Sequence, residues 1–457
     1  MRRIVLALAG AVVWGACGGA RPTPKPPEVV PIEADAGAAD GDASATTTPA
    51  ASNRNAKKIA RTLSEVSALR GLAAKREVPG ETLERHALVE AVKEKALREY
   101  PAEAIKREGT VLQLFGFAPP GFDYLREMMG LLESQLEGFY DPKTGTMFLA
   151  GDLRGEQARA TLAHELVHAL QDQHWDLKKR STYRPGRGDE TMALAALAEG
   201  DATSLMLDYV MKARGQDALA LPDEMLGELM RSSISVGDAA NAPHVLRTTL
   251  VAPYVEGVAF VHALRRKGGW RAVDAAWAAP PVTTEQVLHP EKFATHEPAV
   301  TVGAPPGPAG FTKVDEDTYG ELGLSLMFGE WMTTEDAKEA AKDWGGDRGA
   351  VYTKGDEIAV AIRVRYDDGR TKPDAHAARA FSKLFRGLTD KLGATSPAGG
   401  GWVCASRKDT GPMGVLQVGR DVVIIAGPAK PGTGAWTSAS NCTGARQWAK
   451  DIAASAP

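Results

Sequence analysis

The residues best suited to chemistry are His164, Glu165 and His168, in the run Thr161-Leu-Ala-His-Glu-Leu-Val-His-Ala-Leu170. Two histidines four apart on a helix share one face, one turn apart. Their neutral ring nitrogens can then bind one zinc ion. Glu165 directly follows His164 and is placed to act on the water at that metal rather than on the metal itself. That makes it the general base of a hydrolysis. Leu162, Leu166, Val167 and Leu170 surround the motif, and no further charged residue lies between 160 and 170. The helix is therefore expected to be buried. Chance histidines on a packed helix are the alternative. A buried His-Glu-x-x-His without metal, however, would leave three costly polar groups to satisfy.

A catalytic zinc takes three protein ligands and keeps a fourth position open. The third ligand belongs on a separate element. Asp189, Glu190, Glu199, Asp201, His174 and the later histidines are candidates. Glu199 is the strongest, because it interrupts the apolar helical stretch Met192 to Leu207, where a carboxylate needs a partner. His174 lies too near the end of the first helix, and Trp175 beside it points to packing or capping. The expected set is one zinc per chain on His164, His168 and Glu199, with Glu165 catalytic.

His-Glu-Leu-Val-His, followed 31 residues after His168 by Glu199-Gly200-Asp201-Ala202, resembles the gluzincin class of zinc metallopeptidases over roughly residues 138 to 210. In that class one helix supplies two histidines and the next a glutamate, so the resemblance implies peptide hydrolysis. The chain also looks like a group of bacterial secreted proteins of unknown substrate, through Phe139 to Pro142 and Thr284 to Lys292. One position departs. Thermolysin-like gluzincins carry an aspartate four residues after the glutamate, which holds a zinc-bound histidine; Thr203 stands there. Asp201 is roughly 200° around the helix and is no simple substitute. The support of the histidines must differ, or Thr203 does that work more weakly.

A donor for the oxyanion is expected beyond the ligand helix. Tyr254 and His289 are candidates, against the plainer readings of a core aromatic and a structural hydrogen bond. The short strand Thr146 to Ala150 is expected either to edge the cleft and pair with extended substrate, or to lie inside a small sheet with Phe148 in the core. Two other function classes fit the same motif: a zinc-dependent amidase or deacetylase acting on cell-wall material, and a non-catalytic zinc-binding surface scaffold. The intact Glu165 argues against the scaffold, since a structural site needs no base.

The elements that must position these groups read as an α+β chain, mainly helical: a zincin-like catalytic core with N-terminal helices and a small C-terminal α+β domain. Residues 55–120 are amphipathic helices, a packing layer or a cap over the active domain, with a break at Pro79-Gly80. The metallopeptidase-like core spans 121–300, with long helices over Glu156–Leu170 and Asp189–Val210 and a helical region at 222–278 broken at Gly268-Gly269. Residues 301–344 read as linker and helical extension, and 345–457 as the small domain. In that domain strands run over Ile358–Tyr366, Gly414–Val418 and Val422–Ala426, and a helix over Ala375–Leu392.

The 457 residues carry 54 basic and 58 acidic groups, a net charge of -4, which gives no basis for nucleic-acid binding. The Gly-rich stretches at 398–401 and 427–434 lack a strand–glycine–helix order, so no nucleotide site is expected. Arg2 and Arg3, the apolar run Ile4 to Trp14, then Gly15, Ala16 and Cys17 read as a secretory signal. The order small, small, cysteine resembles a bacterial lipobox, with Trp14 where leucine is usual. That implies cleavage after residue 16, a lipid on Cys17 and, since Gly18 and Gly19 replace the inner-membrane retention aspartate, an outer-membrane anchor facing periplasm or exterior. Residues 18–54 are Pro-, Ala- and Thr-rich and form a tether. The two remaining cysteines, Cys404 and Cys442, are expected to form a disulfide in an oxidising compartment. The expected partners are a protein or peptide substrate and a membrane.

Overall fold

The computed structural model describes residues 49–212, 214–233, 242–369, 372–396, 400–432 and 435–456. The signal sequence, Cys17 and nearly all of the tether lie outside the described residues. In chain order the elements are α1 (Pro49–Arg70), β1 (Gly80–Leu83), α2 (Arg85–Glu99), α3 (Ala102–Phe115), α4 (Tyr124–Gln135), β2 (Gly138–Asp141), β3 (Thr146–Ala150), α5 (Gly155–Trp175) and α6 (Leu177–Arg180). There follow α7 (Gly188–Lys212), α8 (Asp223–Ser233), α9 (His244–Ala278), α10 (Thr284–Leu288), α11 (Pro290–Ala294), β4 (Thr312–Asp317), α12 (Gly320–Phe328) and α13 (Thr334–Ala341). The chain closes with β5 (Trp344–Lys354), β6 (Glu357–Tyr366), α14 (Ala375–Leu392), β7 (Trp402–Arg407), β8 (Gly411–Val418), β9 (Asp421–Ala429) and α15 (Cys442–Ala454). The fold is mixed α+β and mainly helical, with a β-rich C-terminal region.

Helix α5 is apolar nearly all round, so it becomes a central element rather than a surface one. Every residue from Ala160 to Gln173 is buried. Leu162, Leu166, Val167 and Leu170 pack with Ile59, Leu63 and Val66 of α1 and with Met206 and Tyr209 of α7. Helices α7 and α9 meet through glycine. A Cβ on Gly200 would overlap the Gly257 carbonyl, and one on Gly257 would overlap that of Ala196. Only bare backbone allows that approach. The expected break in α9 falls at Gly268 and Gly269, whose dihedrals are non-helical.

The first sheet has the order β1-β3-β2. β3 is therefore the inner strand, parallel to β1 and antiparallel to β2, and the Phe148 ring stacks on Phe139. β3 is not the cleft edge; β2 occupies that position. β1 was not expected, because its four residues sit against the Pro79-Gly80 break in a helical pattern. Leu97 of α2 is 43% exposed and does not join the buried face made by Leu88, Val89, Val92 and Ala96.

The second sheet has six strands in the order β4-β5-β6-β9-β8-β7, all antiparallel. Strand β4 lies in the stretch read as linker and helical extension. Its sequence, Thr-Lys-Val-Asp-Glu-Asp, lacks apolar alternation because it is a largely exposed edge. The Cys404–Cys442 disulfide forms, tying β7 to the start of α15. Among the described residues no helix is long and apolar enough to cross a membrane.

Candidate metal centre

The helical spacing in α5 brings the two imidazoles together: His164 Nε2 and His168 Nε2 lie 3.1 Å apart. Glu199 comes from the middle of α7, the helix packed beside α5. Its Oε2 lies 3.2 Å from His164 Nε2 and 3.5 Å from His168 Nε2. All three residues are buried, and their ligand atoms fall within 4.8 Å of one another. Three lone-pair-bearing atoms converging in a dry site repel unless a proton or a metal cation lies among them. Two imidazole nitrogens and one carboxylate oxygen are the donor set that suits zinc. The residues present therefore fit the ion that the sequence implies.

Without metal, the site must hold its charge by protonation. Burial would raise the Glu199 carboxyl, but the His168 charge and hydrogen bonds from both histidines hold it down at about 2. Burial would also lower His168, yet the Glu199 charge and hydrogen bond win and push it up to about 9. His164 is lowered, chiefly by burial. The metal-free ground state is thus a His168–Glu199 ion pair beside a neutral His164.

Glu165 is fully buried, and no side chain hydrogen-bonds to its carboxyl. Burial, and secondarily the Glu199 charge, raises its carboxyl to about 8. The group is not a third or fourth partner of the histidine pair. It faces β2, where the Tyr140 amide acts on it.

The support of His168 runs through a residue that the sequence did not single out. Gln171 Nε2 donates to Ala198 O (3.0 Å) and to Asp201 Oδ2 (3.2 Å), so its oxygen faces His168. His168 Nδ1 donates to that oxygen at 2.8 Å, which leaves Nε2 as the metal-facing lone pair. Asp201 also accepts from Trp277 Nε1 (2.8 Å) and from Arg70 Nε (2.7 Å). Arg70 is completely buried, and its Nη1 lies 2.8 Å from Asp274 Oδ1, a charge contact without hydrogen-bond alignment. The aspartate two residues after the glutamate therefore serves the histidine indirectly, through a glutamine. Thr203 does not serve it: its hydroxyl is buried and makes no hydrogen bond.

The other candidates fall elsewhere. Glu190 pairs with Arg184 and Arg187. Asp189 accepts from the backbone and hydroxyl of Thr284. His174 Nε2 bonds Ala73 O, a structural contact. His289 is bound to Glu321 at 2.9 Å, away from the histidine pair. Tyr254 is buried with its ring stacked 6.1 Å from that of His164, so it packs against the site. A second convergence of acids, Glu285, Glu297 and Asp367, is filled by the Lys292 ammonium at 2.7, 2.8 and 3.0 Å.

A small cleft opens onto His168 and Glu199. Leu177, Leu194, Ala195 and Ala198 form an apolar wall, while Tyr140 and Pro142 come from β2 and its turn. Lys95 and Glu99 reach it from α2.

The family model described as "Putative metallopeptidase family (DUF6782)" matches residues 131–220. That span holds β2, β3, α5 and α7, hence all three converging residues and Glu165. A second model, described as "Domain of unknown function (DUF8575)", matches residues 309–435, which contain the whole six-stranded sheet. No curated protein and no solved structure matches the chain. The matched region and the buried triad together support a metal-binding, peptidase-like protein.

Proposed function

We propose that this protein is an exported zinc-dependent peptidase, favouring internal peptide bonds, that acts on extracytoplasmic proteins or peptides. One observation carries the reading. Two imidazoles and a carboxylate converge in a buried site beside a second carboxyl group, that of Glu165, to which no side chain hydrogen-bonds. His164, His168 and Glu199 would hold one zinc. When bound, zinc supplies a Lewis acid that polarises the peptide carbonyl and makes water a stronger nucleophile. Glu165 takes a proton from the attacking water as its oxygen bonds to the carbonyl carbon and the C=O π pair moves onto oxygen. Glu165 then returns the proton to the amide nitrogen. The C–N bond breaks with its electron pair on nitrogen, giving a carboxylate and an amine. The free edge of β2 pairs with extended substrate, and the apolar wall of α7 receives a side chain.

The test separates ligand from base. Glu165→Gln keeps the size of the side chain and removes the proton acceptor. It should retain about one zinc per chain and lose at least about 10²–10⁴-fold in turnover of a quenched peptide library. Glu199→Gln should lose both zinc affinity and turnover. Full turnover in Glu165→Gln would refute the general-base role. Wild-type zinc affinity in Glu199→Gln would move the third ligand elsewhere. A zinc-loaded wild type that cleaves cell-wall fragments but no peptide would make the protein an amidase or deacetylase. For location, Cys17→Ser should shift the protein from the membrane fraction to the soluble one. An intact mass without acyl chains would refute the anchor.

A further inference from the structure

The proposed reaction builds negative charge on the carbonyl oxygen, and such a site gains most from a fixed donor aimed at that charge. Tyr254 packs on the His164 ring and His289 is held by Glu321, so neither candidate from the sequence faces the cleft lining. Lys95 does. It stands on α2, outside the matched metallopeptidase span, and lines the cleft together with His168 and Glu199. It is only 5% exposed, which is rare for lysine. Its ammonium lies 5.8 Å from the centre of the Phe139 ring, on the strand that carries Tyr140. Its charge acts on Glu99, one helical turn on, and more weakly on Glu165. A cation that lines the same cleft as two of the converging residues can reach a carbonyl bound there.

Resting on the peptidase reading, we infer that Lys95 is a catalytic residue, the cationic donor that stabilises the oxyanion opposite Glu165. When water adds and the π pair moves onto the carbonyl oxygen, the ammonium turns a hydrogen bond to that oxygen and strengthens as the charge develops. It neither gains nor loses a proton in the cycle. A buried lysine could instead hold a substrate's terminal carboxylate. The cleft it shares with His168 and Glu199 places it near the scissile bond, so the effect should fall on kcat and be independent of the peptide's terminus.

The experiment uses the full mature protein loaded with zinc, with Lys95→Met as the uncharged match in length and Lys95→Arg as the variant that keeps the charge. Three quantities are read: zinc per chain, kcat and KM on peptides with amidated and with free C-termini, and the calorimetric Kd of a leucine-based phosphinic peptide, a tetrahedral oxyanion mimic. Lys95→Met should keep its zinc and lose on the order of 10²–10³-fold in kcat on both peptide types, with KM little changed. Its phosphinic-peptide Kd should rise by a comparable factor, and Lys95→Arg should recover part of both. Unchanged kcat and Kd in Lys95→Met would overturn the assignment. So would a rise in KM confined to free C-termini, which marks carboxylate recognition, or loss of zinc and folding in Lys95→Met that Lys95→Arg repairs without restoring kcat. A zinc-loaded wild type that neither cleaves peptide nor binds the phosphinic peptide would overturn the peptidase reading itself, and the role of Lys95 with it.

Discussion

Replacing Gln171 with methionine removes the acceptor of the His168 Nδ1 proton while nearly preserving side-chain length. That 2.8 Å bond is buried. Losing it leaves an N–H unsatisfied, at a cost of about 1–3 kcal/mol. The metal-free ring can shed its Nδ1 proton and keep Nε2–H on Glu199, whereas the zinc-bound ring must keep Nδ1–H, so the cost should appear as weaker zinc binding. At about 1.4 kcal/mol per decade the expected loss is about 5–150-fold, close to the 10–100-fold typical of groups that orient metal-bound histidines. The variant should still fold. Asp201 loses the Gln171 donor but retains Arg70 and Trp277, and the Ala198 carbonyl gives up one donor. Competition against a chromophoric chelator gives the zinc Kd, and thermal melting of the metal-free protein gives the stability. Asp201→Asn supplies the contrast. It breaks a buried ion pair on a completely buried arginine, which should destabilise the fold by about 3–5 kcal/mol. A Gln171→Met protein that binds zinc within twofold of wild type would refute the claim that this glutamine fixes the His168 tautomer.

Zinc uptake should release protons, because His168 sits at about 9 and Glu165 at about 8 in the metal-free site. At pH 7 both are protonated, so about two protons should leave, seen as binding enthalpies that vary with buffer ionisation heat. The sign fixes the pH trend: affinity should rise with pH until about 9 and then level, and a flat profile from pH 6 to 9 would refute the assignment. In the C-terminal region the disulfide closes a separation of 38 residues. The loop-closure estimate gives about 4 kcal/mol, so the double Cys404→Ser, Cys442→Ser variant should melt well below wild type. Equal denaturant midpoints would show that the reduced unfolded chain is already constrained.

The central motif was legible because its chemistry is local. Spacing of four on a helix is enough to place His164 beside His168 in any fold that keeps the helix. Glu199 was legible for a different reason, as a lone carboxylate in an apolar stretch. Gln171 carried no such signal. A glutamine near the end of a helix reads as a surface residue, and only the approach of α7 converts it into the link between His168 and Asp201. Among the strands, β6, β8 and β9 announce themselves by buried apolar runs. β4 is acidic, and β1 is short and broken by Pro79-Gly80, so neither carries a period that a sheet would impose.

The N-terminal helices show where such reading stops. Their amphipathic pattern identifies a packing layer and gives no sign of chemistry. Yet α1 ends on Arg70, which holds Asp201 across 131 residues of sequence, and α2 delivers Lys95 to the cleft. Neither basic residue differs in the sequence from the many that coat a surface helix. What distinguishes them is burial, 0% and 5% exposed, and burial of a cation follows from tertiary contacts alone. The buried carboxylate behind the site, Asp201, must be offset by a cation brought from elsewhere in the fold, and Arg70 supplies it. Arg70 sits behind the ligands and Lys95 in front of them, so a truncation that removed residues 49–99 would leave the motif intact and strip a buried cation from each side. Such a fragment should fail to hold zinc, even though His164, Glu165, His168 and Glu199 all remain in the chain.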